Sequence, residues 1–452
     1  MKGIVDEPQY SVGLLEGGMG LSDVIDNHIY EQTLTEKNAF FVADLGLIMR
    51  QHVCWRTHMA QIRPYYTVKC NSSPAVIEVL AALGTGFICN NKFELELVQS
   101  HSIPSEDIIY SGICKQVSQI KYAAKNGIDL LVCDNEAELR KISRSHPNAK
   151  LLVQLSTEAC STDDEIGITF GCSLKDCRHL LESAKELGVQ VVGVRCHISS
   201  SCEDVQVYVH AISDARCIFD MGEEIGFDMK MLDIGGGFSG SDTQLELINS
   251  AVMSMVDLYF SPSTGVSIIA EPGNFFVSSA FTLAVNIISK KIVARDHPES
   301  SNDDPSPNDE PEFQYYMNEG VYGSFASKLS ETLVAVPSVH KQNISRGTPL
   351  FSSSLWGPSG DDLDQVVEHC LLPELNIGDW LMFSHAGACS LGQPLCAATD
   401  SPPPHIYYVI SSRDWFEMQD TGITQENTLK NFSLVPFFLN SCQTEAALSV
   451  PA

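Results

Sequence analysis

Positive charge is scarce in this chain of 452 residues. It has 28 Lys and Arg against 57 Asp and Glu, a formal net charge of −29. Nucleic-acid affinity rests on a basic face that neutralises phosphates, so this balance excludes general nucleic-acid binding and favours solubility and cationic partners. No apolar run is long enough to cross a bilayer, and Met1-Lys2-Gly3-Ile4-Val5-Asp6 contains no apolar signal core. No membrane partner is expected, and a cytoplasmic location is, with the nucleus as a second compartment. The 15 cysteines include no Cys-x-x-Cys pair and are odd in number. Reduced, mostly buried thiols are therefore expected, rather than a disulfide framework or a metal site. An early Gly-x-Gly-x-x-Gly is also missing, which removes the usual mark of an open dinucleotide-binding sheet.

Hydrophobic content of 44% and charged content of 19% are ordinary for a globular protein, and the length allows two or three domains. From about residue 63 to 273, strand-like runs at 63–68, 86–90, 107–110, 129–133, 150–155, 190–197, 230–234 and 266–270 alternate with amphipathic stretches at 74–83, 115–126, 136–144, 174–187, 205–219 and 245–259. Eight strands with helices between them predict a (β/α)8 barrel, with an open doubly wound sheet as the competitor. Beyond residue 273 the pattern changes. Residues 281–292 are rich in strand formers. The segment 296–312 holds seven acidic residues, four prolines and no Lys or Arg, and reads as a solvated flexible loop. Strands are expected again at 313–317, 379–384 and 405–411. This gives a barrel over 46–280 and a mostly β second domain over 281–452, to which residues 1–45 contribute.

In a barrel, chemistry belongs at the C-terminal ends of the strands. Lys69 follows strand one, at the end of Pro64-Tyr65-Tyr66-Thr67-Val68. A lysine so placed can form a Schiff base with an aldehyde cofactor, although most lysines are merely solvated charges. His197 closes strand six and could stack on a ring. Gly235, Gly236 and Gly237 follow strand seven, where backbone N–H groups can cradle a phosphate; the plain alternative is a tight turn. Glu271 follows strand eight and could face a pyridine nitrogen. Each of these alone is more often a satisfied structural group.

These residues, with the stretches 65–71, 81–87, 115–124, 214–221, 232–238, 281–288, 320–325 and 356–358, make the chain resemble the eukaryotic ornithine decarboxylases. That family pairs an alanine-racemase-type barrel with a β domain. The resemblance is closer to the antizyme inhibitor branch, through residues 1–3, 38–42, 325–331 and 417–420. Members of that branch keep the fold without the enzyme activity.

Set against the enzymes' pattern, Lys69, Glu94, His197, the glycines 235–237, Glu271 and Asp361 match. Other positions depart from it. Ile88 stands where the resemblance implies an aspartate, and Gln154 where it implies an arginine. Asn274 replaces the arginine, and Cys389 the tyrosine, that would hold the cofactor phosphate. Gly360 replaces the cysteine that guides protonation, and Glu331 a substrate-binding aspartate. A charge-assisted phosphate contact contributes about 1.5–3 kcal/mol. Losing two such contacts corresponds to roughly 10²–10⁴ in affinity. The resemblance thus implies neither catalysis nor a bound cofactor, with pyridoxal phosphate expected only if the alternative, an active decarboxylase, holds. A barrel enzyme of another class using Glu271 and His197 is a third reading.

The segment 115–144 carries Lys115, Lys121, Lys125, Arg140, Lys141 and Arg144 and is net positive in an acidic chain. Two ordinary solvated helices would also explain it. In the resembling family this stretch binds antizyme, which implies antizyme as partner through these cations together with Glu138 and Leu139. Such binding would release active decarboxylase and raise polyamine synthesis. The resemblance also implies a lysine at the position of Thr169, pairing across a dimer with the residue matched by Asp364. Threonine cannot form that pair, so a monomer or weak dimer is expected, with Asp364 lacking that partner.

Overall fold

The computed structural model describes residues 10–32, 37–157, 171–198, 202, 204–238, 242–293, 311–329, 335–340, 348–388, 403–420 and 429–439. Eight parallel strands close into a barrel: Arg63–Thr67, Gly86–Cys89, Ile108–Tyr110, Leu130–Cys133, Lys150–Leu155, Gln190–Cys196, Met231–Asp233 and Ser267–Ala270. The last strand closes on the first, with Ile269 opposite Arg63 and Ala270 opposite Pro64. Tyr65, Ile88, Ile109, Val132, Leu152 and Ile269 fill the interior, so the barrel is a packed core and not a pore. The apolar Ile88 belongs to that filling and is fully buried.

Helices cover the outside of the barrel. One of them, Lys92–Ser100, is absent from the sequence expectation. Its start is nonetheless written in the chain as a capping box. The Asn91 side chain accepts from the Glu94 N–H at 3.0 Å, and the Glu94 carboxylate accepts from the Asn90 N–H at 2.7 Å. Glu94 is thereby held in a cap. On the opposite flank, helix Leu45–His58 drives Trp55 into contact with Phe238, Phe275 and Phe276. Trp55 is wholly buried and its indole N–H donates to the Ile62 carbonyl at 2.9 Å. This aromatic cluster supports, from outside, the loops that follow strands seven and eight.

The second domain is a ten-stranded mixed sheet. Strand Phe281–Val293 leaves the barrel and pairs antiparallel with Phe40–Asp44, Glu312–Met317 and Trp380–Phe383. Tyr10–Leu15 lies between His405–Ser411 and Phe432–Pro436, parallel to both. The sheet therefore takes two strands from the first 45 residues. Most of the acidic segment, through residue 310, falls outside the described residues; Glu312 opens a strand. The described cysteines are all free thiols. No described helix is long and apolar enough to cross a membrane, and no cluster of potential metal ligands occurs among the described residues.

Candidate functional site

The barrel mouth forms a cavity of ≈ 150 Å³ lined by Lys69, His197, Gly236, Gly237, Glu271 and Asn274, together with Thr67, Asn90 and Arg195. The first six were singled out by sequence. Each is placed by the end of a strand. Lys69 sits on the short 3-10 turn Val68–Cys70 after strand one and its side chain is exposed. That turn is tied to the sheet domain, because Asn71 donates through Nδ2 to the Gly387 carbonyl at 2.9 Å. Gly235 and Gly237 have φ of 81° and 85°. A Cβ on Gly235 would lie 2.4 Å from the Cys196 carbonyl oxygen, so the turn after strand seven demands glycine there. The Gly235 N–H donates to Asp233 Oδ1 at 2.9 Å, and Tyr208 donates its hydroxyl proton to the Gly236 carbonyl at 2.6 Å.

Beside this turn lies a buried ionic cluster that the sequence reading missed. Strand six has a register shift opposite Leu151 and Leu152, after which Arg195 stands level with Gln154 on one side and Asp233 on the other. All three side chains are buried. Arg195 Nε donates to Glu271 Oε1 at 2.6 Å, and its Nη1 donates to Gln154 Oε1 at 2.5 Å. Thr67 Oγ1 donates to the other Glu271 oxygen at 3.0 Å. Asp233 Oδ2 lies 3.7 Å from Arg195 Nε and receives no hydrogen bond from any described group. Burial pushes the Asp233 carboxyl well above its ordinary range, and the Glu271 charge adds to this. Glu271 moves the other way: burial would raise it, but the Arg195 charge and hydrogen bond outweigh that and hold it low. His197 is pushed down to about 4 by burial and by the Arg195 charge, so its imidazole is neutral. The signal available in the sequence was a single arginine inside the apolar run Val191-Val192-Gly193-Val194-Arg195-Cys196.

Other expected site residues lie elsewhere. Gly360 and Asp361 occupy an exposed turn between strands Phe351–Trp356 and Gln365–Leu372 and do not line this cavity. Asp361 Oδ1 accepts from the Leu363 N–H at 3.0 Å. Cys389, Glu331 and Thr169 fall outside the described residues. Asp364 finds its hydrogen-bond donors within its own chain. It is buried, accepting from the N–H groups of Val321 at 2.7 Å and Ser359 at 3.1 Å and from the Ser359 hydroxyl at 2.6 Å.

The cationic segment forms two adjacent helices, Val117–Lys125 and Glu136–Ser145. Lys121, Lys125, Arg140 and Arg144 are exposed and Lys141 is half-buried. Lys115, Glu138 and Leu139 are not part of that surface: they are 2%, 5% and 0% exposed. The reason is geometric. Leu139 lies on the apolar stripe of its helix. Asn135 caps that helix, its Oδ1 accepting from the Glu138 N–H at 2.9 Å, and the Glu138 carboxylate turns inward to accept from the Lys115 N–H at 3.2 Å. Lys115 precedes the first helix and turns inward, where Nζ donates to the Val132 carbonyl at 2.5 Å and lies 3.8 Å from Glu138. Burial pulls its ammonium down to about 8, against the pull of Glu138.

A family model described as pyridoxal-dependent decarboxylase, pyridoxal binding domain, matches residues 45–278. The chain is 58% identical to antizyme inhibitor 1 of Pongo abelii, covering 99% of both chains. It is 43% identical to the ornithine decarboxylase of Mus musculus, covering 97% of this chain and 95% of that one. The chain belongs to the ornithine decarboxylase and antizyme inhibitor family. Its fold matches the arginine decarboxylase of Paramecium bursaria Chlorella virus with a TM-score of 0.76 at 25% identity, over 86% of this chain and 100% of that one. The alanine-racemase-like barrel with a mostly β second domain, expected from the strand pattern and the resemblance, is thus the fold of this family member.

Proposed function

We propose that this protein is a regulatory subunit mimic that binds antizyme, displaces ornithine decarboxylase from it, and performs no decarboxylation itself. The carrying observation is the full-length likeness to antizyme inhibitor 1, which exceeds the likeness to ornithine decarboxylase across the same span. The contact surface is the outer side of the two helices, through Lys121, Lys125, Arg140, Lys141 and Arg144. Lys115, Glu138 and Leu139 shape that surface from beneath. Antizyme capture would release active decarboxylase and so raise polyamine synthesis and uptake.

The barrel mouth supports the non-catalytic half of this reading. Its residues do not fit pyridoxal phosphate. The Gly236–Gly237 turn shares the cavity lining with Asn274, a neutral side chain that cannot supply the charge a phosphate needs. The Glu271 carboxylate already holds Arg195 and Thr67, one on each oxygen. Self-sufficient Asp364 supports a monomer or weak dimer, since it needs no partner subunit to satisfy it.

The test is a competition assay in which decarboxylase activity is recovered from an antizyme-inhibited mixture. Recovery in proportion to added protein is expected; no recovery would sink the role. A second reading, an active decarboxylase, draws on the convergence of Lys69, His197 and Glu271 at one cavity. Release of labelled carbon dioxide from carboxyl-labelled ornithine at an enzyme-like rate would establish it.

A further inference from the structure

Arg195 is the only guanidinium lining the barrel mouth among the described residues, and it is buried. A buried guanidinium is costly unless carboxylates in good geometry offset the lost hydration. Here protein groups supply that offset. Glu271 takes Nε and Gln154 takes Nη1, while Asp233 lies beside the pair. The oxygen of Asp233 that receives no hydrogen bond is where a proton is best kept. The cluster then holds one cation and one anion and is neutral. Within it, Arg195 Nε and Nη1 and both Glu271 oxygens are hydrogen-bonded to protein groups.

We propose that Arg195 is a resident substitute for a cationic ring: it takes up the Glu271 carboxylate that a protonated ring nitrogen of pyridoxal phosphate would need. A second cation brought to this cluster would enter a neutral, buried site and face Arg195 directly. The mouth therefore carries two separate obstacles to the cofactor, one at Asn274 and one at Arg195. Restoring a phosphate grip alone does not make the protein a pyridoxal phosphate binder. The same residue ties the mouth together as an all-protein salt cluster. This inference is independent of antizyme binding, which the competition assay reads separately.

The experiment titrates pyridoxal phosphate into full-length wild type, Asn274→Arg, Arg195→Gln and the double variant, following a visible absorbance that Lys69→Ala abolishes. Glutamine keeps a hydrogen-bonding partner for Gln154 and removes the charge. Expected is no binding by wild type, weak binding by Asn274→Arg, and at least tenfold tighter binding by the double variant than by Asn274→Arg. Asn274→Arg alone binding as tightly as the double variant overturns the proposal. Arg195→Lys in the Asn274→Arg background keeps the charge and is expected to keep the obstacle; tight binding there overturns it too. Should Arg195→Gln lose its fold, circular dichroism decides. Loss in Arg195→Gln but not in Arg195→Lys supports neutralisation by Arg195, and equal loss in both refutes it.

Discussion

Two buried cation–carboxylate clusters lie in the barrel domain, and they differ in where their charge ends. At the mouth, Arg195, Glu271 and Asp233 are buried, with side chains 6%, 6% and 0% exposed, and the first two border the cavity. Under the cationic helices, Lys115 and Glu138 are equally buried, but Glu138 also holds Lys141 at 2.6 Å, and that lysine side chain is 31% exposed. The first cluster neutralises itself and presents no net charge. The second passes a fixed charge to the surface. The same pairing of residue types thus closes a site in one place and stiffens a contact surface in the other.

The largest effect should come from breaking the mouth cluster. Removing one partner of a buried pair costs about 3–5 kcal/mol because the other charge stays buried. Glu271→Ala is expected to lose stability on that scale, read as a lower urea midpoint at an unchanged slope. Asp233 can lose its proton and replace Glu271 in part, so the loss should be greatest at acid pH and smaller above neutrality. Glu138→Ala should cost less, because Lys141 can turn to solvent and Lys115 can shed its proton. Equal losses in the two variants would erase the distinction between the clusters.

The open surface should show the reverse pattern, a large effect on binding and almost none on folding. Reversal of Lys121 and Arg144 to Glu places like charges where antizyme would dock, and desolvated interface charges cost about 2–5 kcal/mol when unpaired. Lys141 is a poorer choice for reversal, since a glutamate there would face Glu138 across the turn now closed at 2.6 Å. Loss of antizyme affinity of at least about 30-fold is expected, with a thermal midpoint near wild type. Unchanged affinity would place the contact surface elsewhere.

Lys115 gives a pH test. Its folded pKa, about 8, lies below the unfolded lysine value of 10.5, so between those pH values the unfolded chain binds the extra proton. Stability from this group therefore rises as pH increases through 8 toward 10.5, and the burial penalty is fully present below pH 8. Relative to Lys115→Met, wild type should gain urea stability by roughly 1–3 kcal/mol across that range. A difference that stays flat with pH would mean Lys115 is charged and solvated.

These contrasts explain what could be read before the fold was known. The eight barrel strands followed from apolar runs separated by amphipathic helices, and Lys69, His197, Gly236, Gly237, Glu271 and Asn274 followed from their places after strand ends. Arg195 did not, because its inward direction depends on a register shift at Leu151–Leu152 that leaves no mark in periodicity. Charge counting over a window groups Lys115 with the surface lysines, because it knows nothing of burial. Helix Lys92–Ser100 was written in its capping box but not in a long apolar stripe, as only Glu94, Leu95 and Val98 are buried. Gly360 and Asp361 illustrate a different limit: a match to a family pattern groups them with the site residues, whereas this chain folds them into an exposed turn that does not line the cavity.

The smallest effect expected is at Arg140, and it separates surface charge from surface structure. Arg140 Nη2 meets Glu136 Oε1 at 2.5 Å, one helical turn apart, with side chains 56% and 36% exposed. Pairs of this kind in open solvent contribute little to stability, because water screens them and side-chain freedom is lost. Arg140→Gln should therefore leave the thermal midpoint almost unmoved. It removes a positive charge from the proposed docking side, however, so association with antizyme should slow at low ionic strength. At high salt, where the screening length shrinks to about 3 Å at 1 M, the two association rates should converge. Convergence at high salt marks a long-range steering charge. A deficit that persists there, in dissociation instead, would make Arg140 a direct contact and move the centre of the interface onto helix Glu136–Ser145.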